Sequence, residues 1–150
     1  MRVLIAIDGS PPSDVAMAEV AVRPWTAGTE FEVLAVVHTA VPAVPDPAFF
    51  MVAARVERTH ELAQQAREWV AAAAARLQQD VPDARVTTKV LEGVPKDVIV
   101  QEARDWHADL IVMGCHGYGP VRRAVLGSVA TAVVTHAPCS VEVVRAKQAA

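Results

Sequence analysis

Cysteine is scarce in this 150-residue chain: Cys115 and Cys139 are the only two, they lie in unrelated contexts, and they form no CxxC pair. That excludes a disulfide framework and a cysteine-built metal knuckle, and both are read as reduced thiols. Long apolar runs are missing too, with nothing near the roughly 20 residues of a membrane span. The apolar run from Val3 to Ile7 is interrupted by Asp8 and is too short for a signal-peptide core, so a cytoplasmic protein is expected. Neither sign of charge dominates, the formal net charge being -3. The balance gives no general pull toward nucleic acid or an anionic membrane, and any bound polyanion has to be held by local geometry. Even glycine is sparse, at seven residues. Four of those seven, Gly114, Gly117, Gly119 and Gly127, fall in the stretch "GCHGYGPVRRAVLGS" at 114–128.

What is present is an ordinary globular composition, 53% apolar and 21% charged, in a length suited to one domain over 1–150. "RVLIAID" at 2–8 is nearly all apolar and reads as a central strand covered on both faces. Ser10 can cap a following helix that opens on Pro11 and Pro12, buries Val15, Ala18 and Val22, and stops at Pro24. "FEVLAVVHT" at 31–39 is the next strand, and the proline-bearing 39–47 stretch is a loop. A long helix from Phe49 to Gln79 has an apolar stripe through Val52, Val56, Leu62, Ala66, Val70, Ala73 and Leu77. Three further strands are expected at 85–93, 108–114 and 140–145. Helices from Pro95 to about His107, with Ile99, Ala103 and Trp106 inward, and from Gly127 to His136 separate them.

Regular alternation of strand and helix predicts an α/β fold, a doubly wound, Rossmann-like, five-stranded parallel sheet with helices on both faces. The first and fourth strands, the most apolar, belong in its middle. Ligands of such sheets bind beyond the carboxyl ends of the strands. Here that crevice is walled by Asp8, Gly9 and Ser10 on one side and by the glycine-rich loop on the other.

The loop fits neither familiar phosphate motif. The dinucleotide fingerprint needs glycines at positions one, three and six, whereas "GCHGYG" has them at one, four and six. Gly114 and Gly119 have P-loop spacing, but Pro120 and Val121 stand where Lys and Ser or Thr belong. The same physics remains available in another arrangement. Glycines permit positive φ and close backbone approach, and a helix N-terminus at Gly127 and Ser128 offers unpaired N–H groups to an anion.

The pattern Gly114, two residues, Gly117, nine residues, Gly127, Ser128 resembles the ATP-binding branch of the universal stress protein family. The likeness extends to "AIDGS" at 6–10, "ADLIVMGCHG" at 108–117 and "GSVATAVVTHAPCSVEVVR" at 127–145. The resemblance implies that Gly114, Gly117, Gly127, Ser128 and the N–H of Val129 hold phosphates. It implies that Ala6, Ile7, Asp8 and Thr39, with Met113 nearby, frame adenine and ribose. Asp8 can instead help hold Mg2+ beside the phosphates, or simply cap the next helix. His116 can touch a phosphate or carry a proton, although no carboxylate in the sequence is marked to orient it; a structural place in the loop is the alternative. Arg122 and Arg123 can offset phosphate charge or lie solvated, and Trp25, Trp69 and Trp106 read as packing residues.

Such proteins commonly form homodimers through the last strand, here 140–145, so a homodimer is expected. Ser140 and Glu142 replace the family's usual proline and apolar residue, and Glu142 either solvates that edge or adjusts the pairing. Cys115, where a small residue is frequent, leaves a backbone cradle intact. The implied function is binding of ATP, AMP or another adenine nucleotide in a stress response. The alternatives are a slow phosphoryl- or adenylyl-transfer enzyme using His116 or Asp8, and an interaction module with an empty loop. Lack of a P-loop lysine and of an evident water-activating base favours a sensor.

Overall fold

The computed structural model describes residues 1–39, 49–116 and 126–146, without the side chains of 49–55. Nine elements follow in order: β1 Arg2–Ile7, α1 Pro11–Ala21, β2 Glu30–His38, α2 Phe49–Asp80, β3 Arg85–Gly93, α3 Pro95–Asp105, β4 Leu110–Gly114, α4 Ser128–His136 and β5 Ser140–Val144. The five strands form one parallel sheet in the order β3-β2-β1-β4-β5. β1 is central and β4 lies beside it, as their apolar sequences require of strands covered on both faces. Winding runs outward through β2 and β3, then crosses to β4 and β5, so the topological switch point falls between β1 and β4.

Alternation along the strands divides the core in two. Val3 and Ile5 of β1 with Phe31, Val33 and Ala35 of β2 meet Ala16, Met17 and Val20 of α1 and Ala66, Val70 and Leu77 of α2. Leu4, Ala6, Leu34, Ile111 and Met113 face the other way, onto Ile99 and Ala103 of α3 and Ala130 and Val133 of α4. Among the described residues no helix is long and apolar enough to cross a membrane.

Two apolar stripes differ from expectation. α1 buries Ser13, Ala16, Met17 and Val20, while Val22 follows the helix and is 77% exposed. In "VAMAEVAV" almost every position is apolar, so several stripes have helical spacing and hydrophobicity alone does not choose among them. The stripe that packs includes a serine because its hydroxyl donates to the Ser10 carbonyl at 2.9 Å and carries no unpaired donor into the core. In α2, Ala66, Val70 and Leu77 are buried as expected, joined by Ala63 and Ala74, while Val56 and Leu62 are exposed. Val52 lies outside the described side chains. At 32 residues the helix is about 48 Å long, whereas the nine residues of β2 span about 30 Å, and residues 56–62 of the helix are exposed apart from Thr59, which is half-buried.

Candidate functional site

The β1–α1 turn is built by Asp8, whose Oδ1 accepts hydrogen bonds from the Ser10 amide, at 3.0 Å, and from the Ser10 hydroxyl. Ser10 therefore occupies the cap position of α1 without capping it by side chain, contrary to expectation. Its hydroxyl is spent on Asp8, and the turn closes instead through the Ser10 carbonyl, which accepts from Ser13 and Asp14 amides at 3.0 and 3.1 Å. Between them Gly9 has φ +72°, and a Cβ there would lie 2.4 Å from the Trp69 ring of α2. Trp69 thus seats the turn as a packing group.

At the end of β4, Gly114 has a different reason to be glycine. Its φ is not positive, but a Cβ would stand 2.7 Å from the carbonyl carbon of Pro12. Gly127, with φ -61°, is likewise in ordinary extended backbone. The expectation of positive φ is therefore corrected at both: bare backbone is needed here because chain segments approach closely. The Gly127 amide donates to the Cys115 carbonyl at 2.9 Å, and the Cys115 amide donates to the Val144 carbonyl at 3.0 Å. Those two bonds tie the start of α4 to the ends of β4 and β5. Gly127 is the N-cap and Ser128 the first helical residue.

A cavity of about 260 Å³ opens between these pieces, at the switch point. Ala6, Ile7, Asp8, Met113, Gly114, His116, Gly127, Ser128 and Val129 all line it, which brings together nine residues singled out from sequence. Thr39 follows β2 and is not among the described lining residues. Gly117, Arg122 and Arg123 lie outside the described residues. The lining also includes Leu34 and Val36 of β2, Pro95 and Ile99 of α3, Cys115 and Ala130, none of them assigned to a ligand from sequence. The signal for the β2 pair was period-two alternation: counted from Ala6 across the parallel register, Leu34 shares its face.

Chemically the cavity has two ends. Leu34, Val36, Ile99 and Met113 give one wall that is apolar. The other end presents Asp8, His116 and the first turn of α4, whose N–H groups have no acceptor within the helix and carry its positive dipole end. His116 Nδ1 lies 3.0 Å from Cys115 Sγ. Among the described residues no group of three His, Cys, Asp or Glu side chains is placed to hold a metal ion. Such a cavity can hold a planar apolar group at one end and an anion at the other.

A doubly wound α/β domain with its cavity at the switch point defines the class. The sequence matches the Universal stress protein family over residues 1–145, and the chain belongs to that family. It is 48% identical over 61 residues to a universal stress protein of Methanocaldococcus jannaschii. The match covers 41% of this chain and 36% of that protein, so it spans little more than a third of this curated relative's length. The fold is similar to that of the universal stress protein UspA from Lactobacillus plantarum, with TM-score 0.81, 24% identity and 97% of each chain covered. It also resembles a universal stress protein family protein of Arabidopsis thaliana solved with AMP bound, with TM-score 0.65, 18% identity, and 98% and 92% of the two chains covered. A universal stress protein solved in complex with cAMP has TM-score 0.55 and 18% identity, with 97% and 96% covered.

Proposed function

We propose that the switch-point cavity binds an adenine nucleotide, ATP or AMP, and that the chain acts as a cytoplasmic nucleotide sensor in a stress response. The observation that carries this reading is the bipolar cavity, an apolar floor on β2 and α3 facing the bare backbone of Gly114 and Gly127 and the N-terminal turn of α4. The purine belongs against Leu34, Val36 and Ile99, and the phosphates belong at Ser128 and Val129, where backbone N–H groups donate to an anion without a basic side chain. Asp8, the one carboxylate among the described lining residues, serves a ribose hydroxyl or Mg2+ carried in with the phosphates in this reading. Two relatives of the same fold, solved with AMP and with cAMP, support the ligand class.

Binding is favoured over turnover because Pro120 and Val121 replace the lysine and hydroxyl residue that a P-loop uses on the transferred phosphate. The chain is a homodimer in this reading, paired along the outer edge of β5, which among the described residues has a strand neighbour only on its β4 side. Mass spectrometry of small molecules released from the freshly purified protein tests the ligand class. Recovery of AMP, ADP or ATP near one per chain is expected. Failure to retain or rebind any adenine nucleotide at millimolar concentration contradicts the proposal.

A further inference from the structure

Behind the cavity floor lies a group of ionisable residues that its chemistry does not use. Glu32 sits on the interior strand β2, two residues or about 7 Å back from Leu34, and is only 6% exposed. One of its oxygens, Oε1, is buried with no hydrogen-bond partner. Glu102 of α3, also 6% exposed, faces it and is paired through Oε1 with Lys89 Nζ of β3 at 2.7 Å. Lys89 is the register partner of Leu34, and Glu102 lies one helical turn beyond Ile99. Both neighbours line the cavity.

One ammonium cannot neutralise two buried carboxylates. An ionised Glu32 with a buried, unpartnered oxygen beside the Glu102 anion is strongly disfavoured, and a carboxyl in that position retains its proton instead. Protonated, Glu32 becomes a donor with the Glu102 carboxylate beside it as acceptor. The surrounding charges leave this balance in place. Lys89 is engaged by Glu102, with Asp105 of α3 acting on it from farther away. Arg2 of β1 is held by Glu30 and the Trp106 carbonyl, and Arg85 of β3 by Glu30.

We propose that Glu32, Glu102 and Lys89 form a proton-operated latch that sets how firmly α3 closes the cavity floor. With Glu32 protonated, its hydrogen bond to Glu102 holds α3 on the sheet. When the proton passes to solvent, two buried carboxylates repel each other across the β2–α3 interface and α3 loosens, carrying Pro95 and Ile99 with it. Burial, with the Glu102 charge as a lesser cause, pushes the Glu32 carboxyl from the ordinary 4.5 to about 7. Because the closed form binds the proton more tightly than the open one, closure is firmest at acid pH. It weakens as pH rises from about 4.5 to 7 and changes little above that.

Amide exchange at Ile99, Val100 and Ala103, corrected for the intrinsic rate at each pH, reads the opening of α3 directly. In the wild-type protein protection should fall by about tenfold per pH unit between pH 5 and 7, then level off. In Glu32→Gln, and in Glu32→Leu should the amide be poorly tolerated, it should stay flat across that range. Equal slopes in wild type and variants overturn the latch. The consequence for the cavity rests on the nucleotide reading and has its own readout, AMP affinity of Glu32→Gln relative to wild type at each pH. That ratio should rise from pH 5 to 7.5, and a constant ratio overturns the link between latch and cavity. If neither protein binds AMP, the nucleotide reading fails, while the exchange slopes still decide the latch.

Discussion

Gly114 and Ser128 show how much of the site is decided by single atoms. A Cβ at residue 114 would sit 2.7 Å from the Pro12 carbonyl carbon, which is backbone and cannot rotate away. Gly114→Ala should therefore force α1 from β4 and destabilise the protein by about 1–3 kcal/mol, measured by urea unfolding. Ser128 supports the opposite kind of experiment. It is the first helical residue of α4, where proline is well tolerated, and Gly127 before it has ψ 158°, the extended value that a following proline prefers. Ser128→Pro removes one backbone donor and one hydroxyl from the proposed phosphate end while keeping the helix. Its thermal stability should stay close to wild type, and its ATP affinity by calorimetry should drop about ten- to a hundredfold. Unchanged affinity would put the phosphates elsewhere. The sequence marks Gly114 and Gly127 as bare backbone open to positive φ and to an anion, whereas the close approach found at both is of protein to protein. What the sequence did not carry was the partner in that approach, since Pro12 is about a hundred residues away and only the fold brings it to Gly114.

Elements bring together residues whose letters give opposite hints. From sequence, Glu142 on β5 either solvates the strand edge or adjusts its pairing. Its carboxylate instead pairs with the guanidinium of Arg23, which follows α1, with Nη1 to Oε2 at 2.5 Å and a second contact from Nη2 to Oε1. That pair ties β5 to α1, and Glu142 raises the pKa of Arg23 by accepting its hydrogen bonds. Both side chains are 30% exposed, so solvent screens much of the interaction. A double-mutant cycle with Arg23→Ala and Glu142→Ala should give a coupling of about 0.5–1 kcal/mol that shrinks in high salt. No coupling at low salt would contradict the assigned contact. The apolar floor of the cavity was missed for a related reason. Leu34, Val36 and Ile99 read as plain core residues, and core and cavity wall have the same composition until helix and sheet are placed against one another.

At the scale of the whole molecule the sequence was most informative. Strand and helix alternation fixed the element order, and the two all-apolar strands pointed to the centre of the sheet, where β1 and β4 lie side by side. The buried polar chemistry was not legible, because Glu32 in "FEVLAVV" resembles any polar residue on a half-exposed strand until α3 covers it. Global stability should carry its trace. Relative to Glu32→Gln, the wild-type protein should lose unfolding free energy as pH rises from about 4.5 to 7, with urea midpoints flattening above that. Assembly is tested by sedimentation, where the proposed β5 pairing gives twice the 16.0 kDa chain mass and a monomer would contradict it. The central claim remains the ligand, and an NMR titration with ATP and AMP, read at 15N–1H amides and 13C–1H methyls, tests it most directly. Saturable shifts concentrated at the amides of Gly114, Gly127, Ser128 and Val129, with side-chain methyl shifts at Leu34, Val36 and Ile99, are the expected result. A folded protein whose spectrum is unmoved by millimolar nucleotide, or moves only away from the β1–β4 switch point, would contradict it.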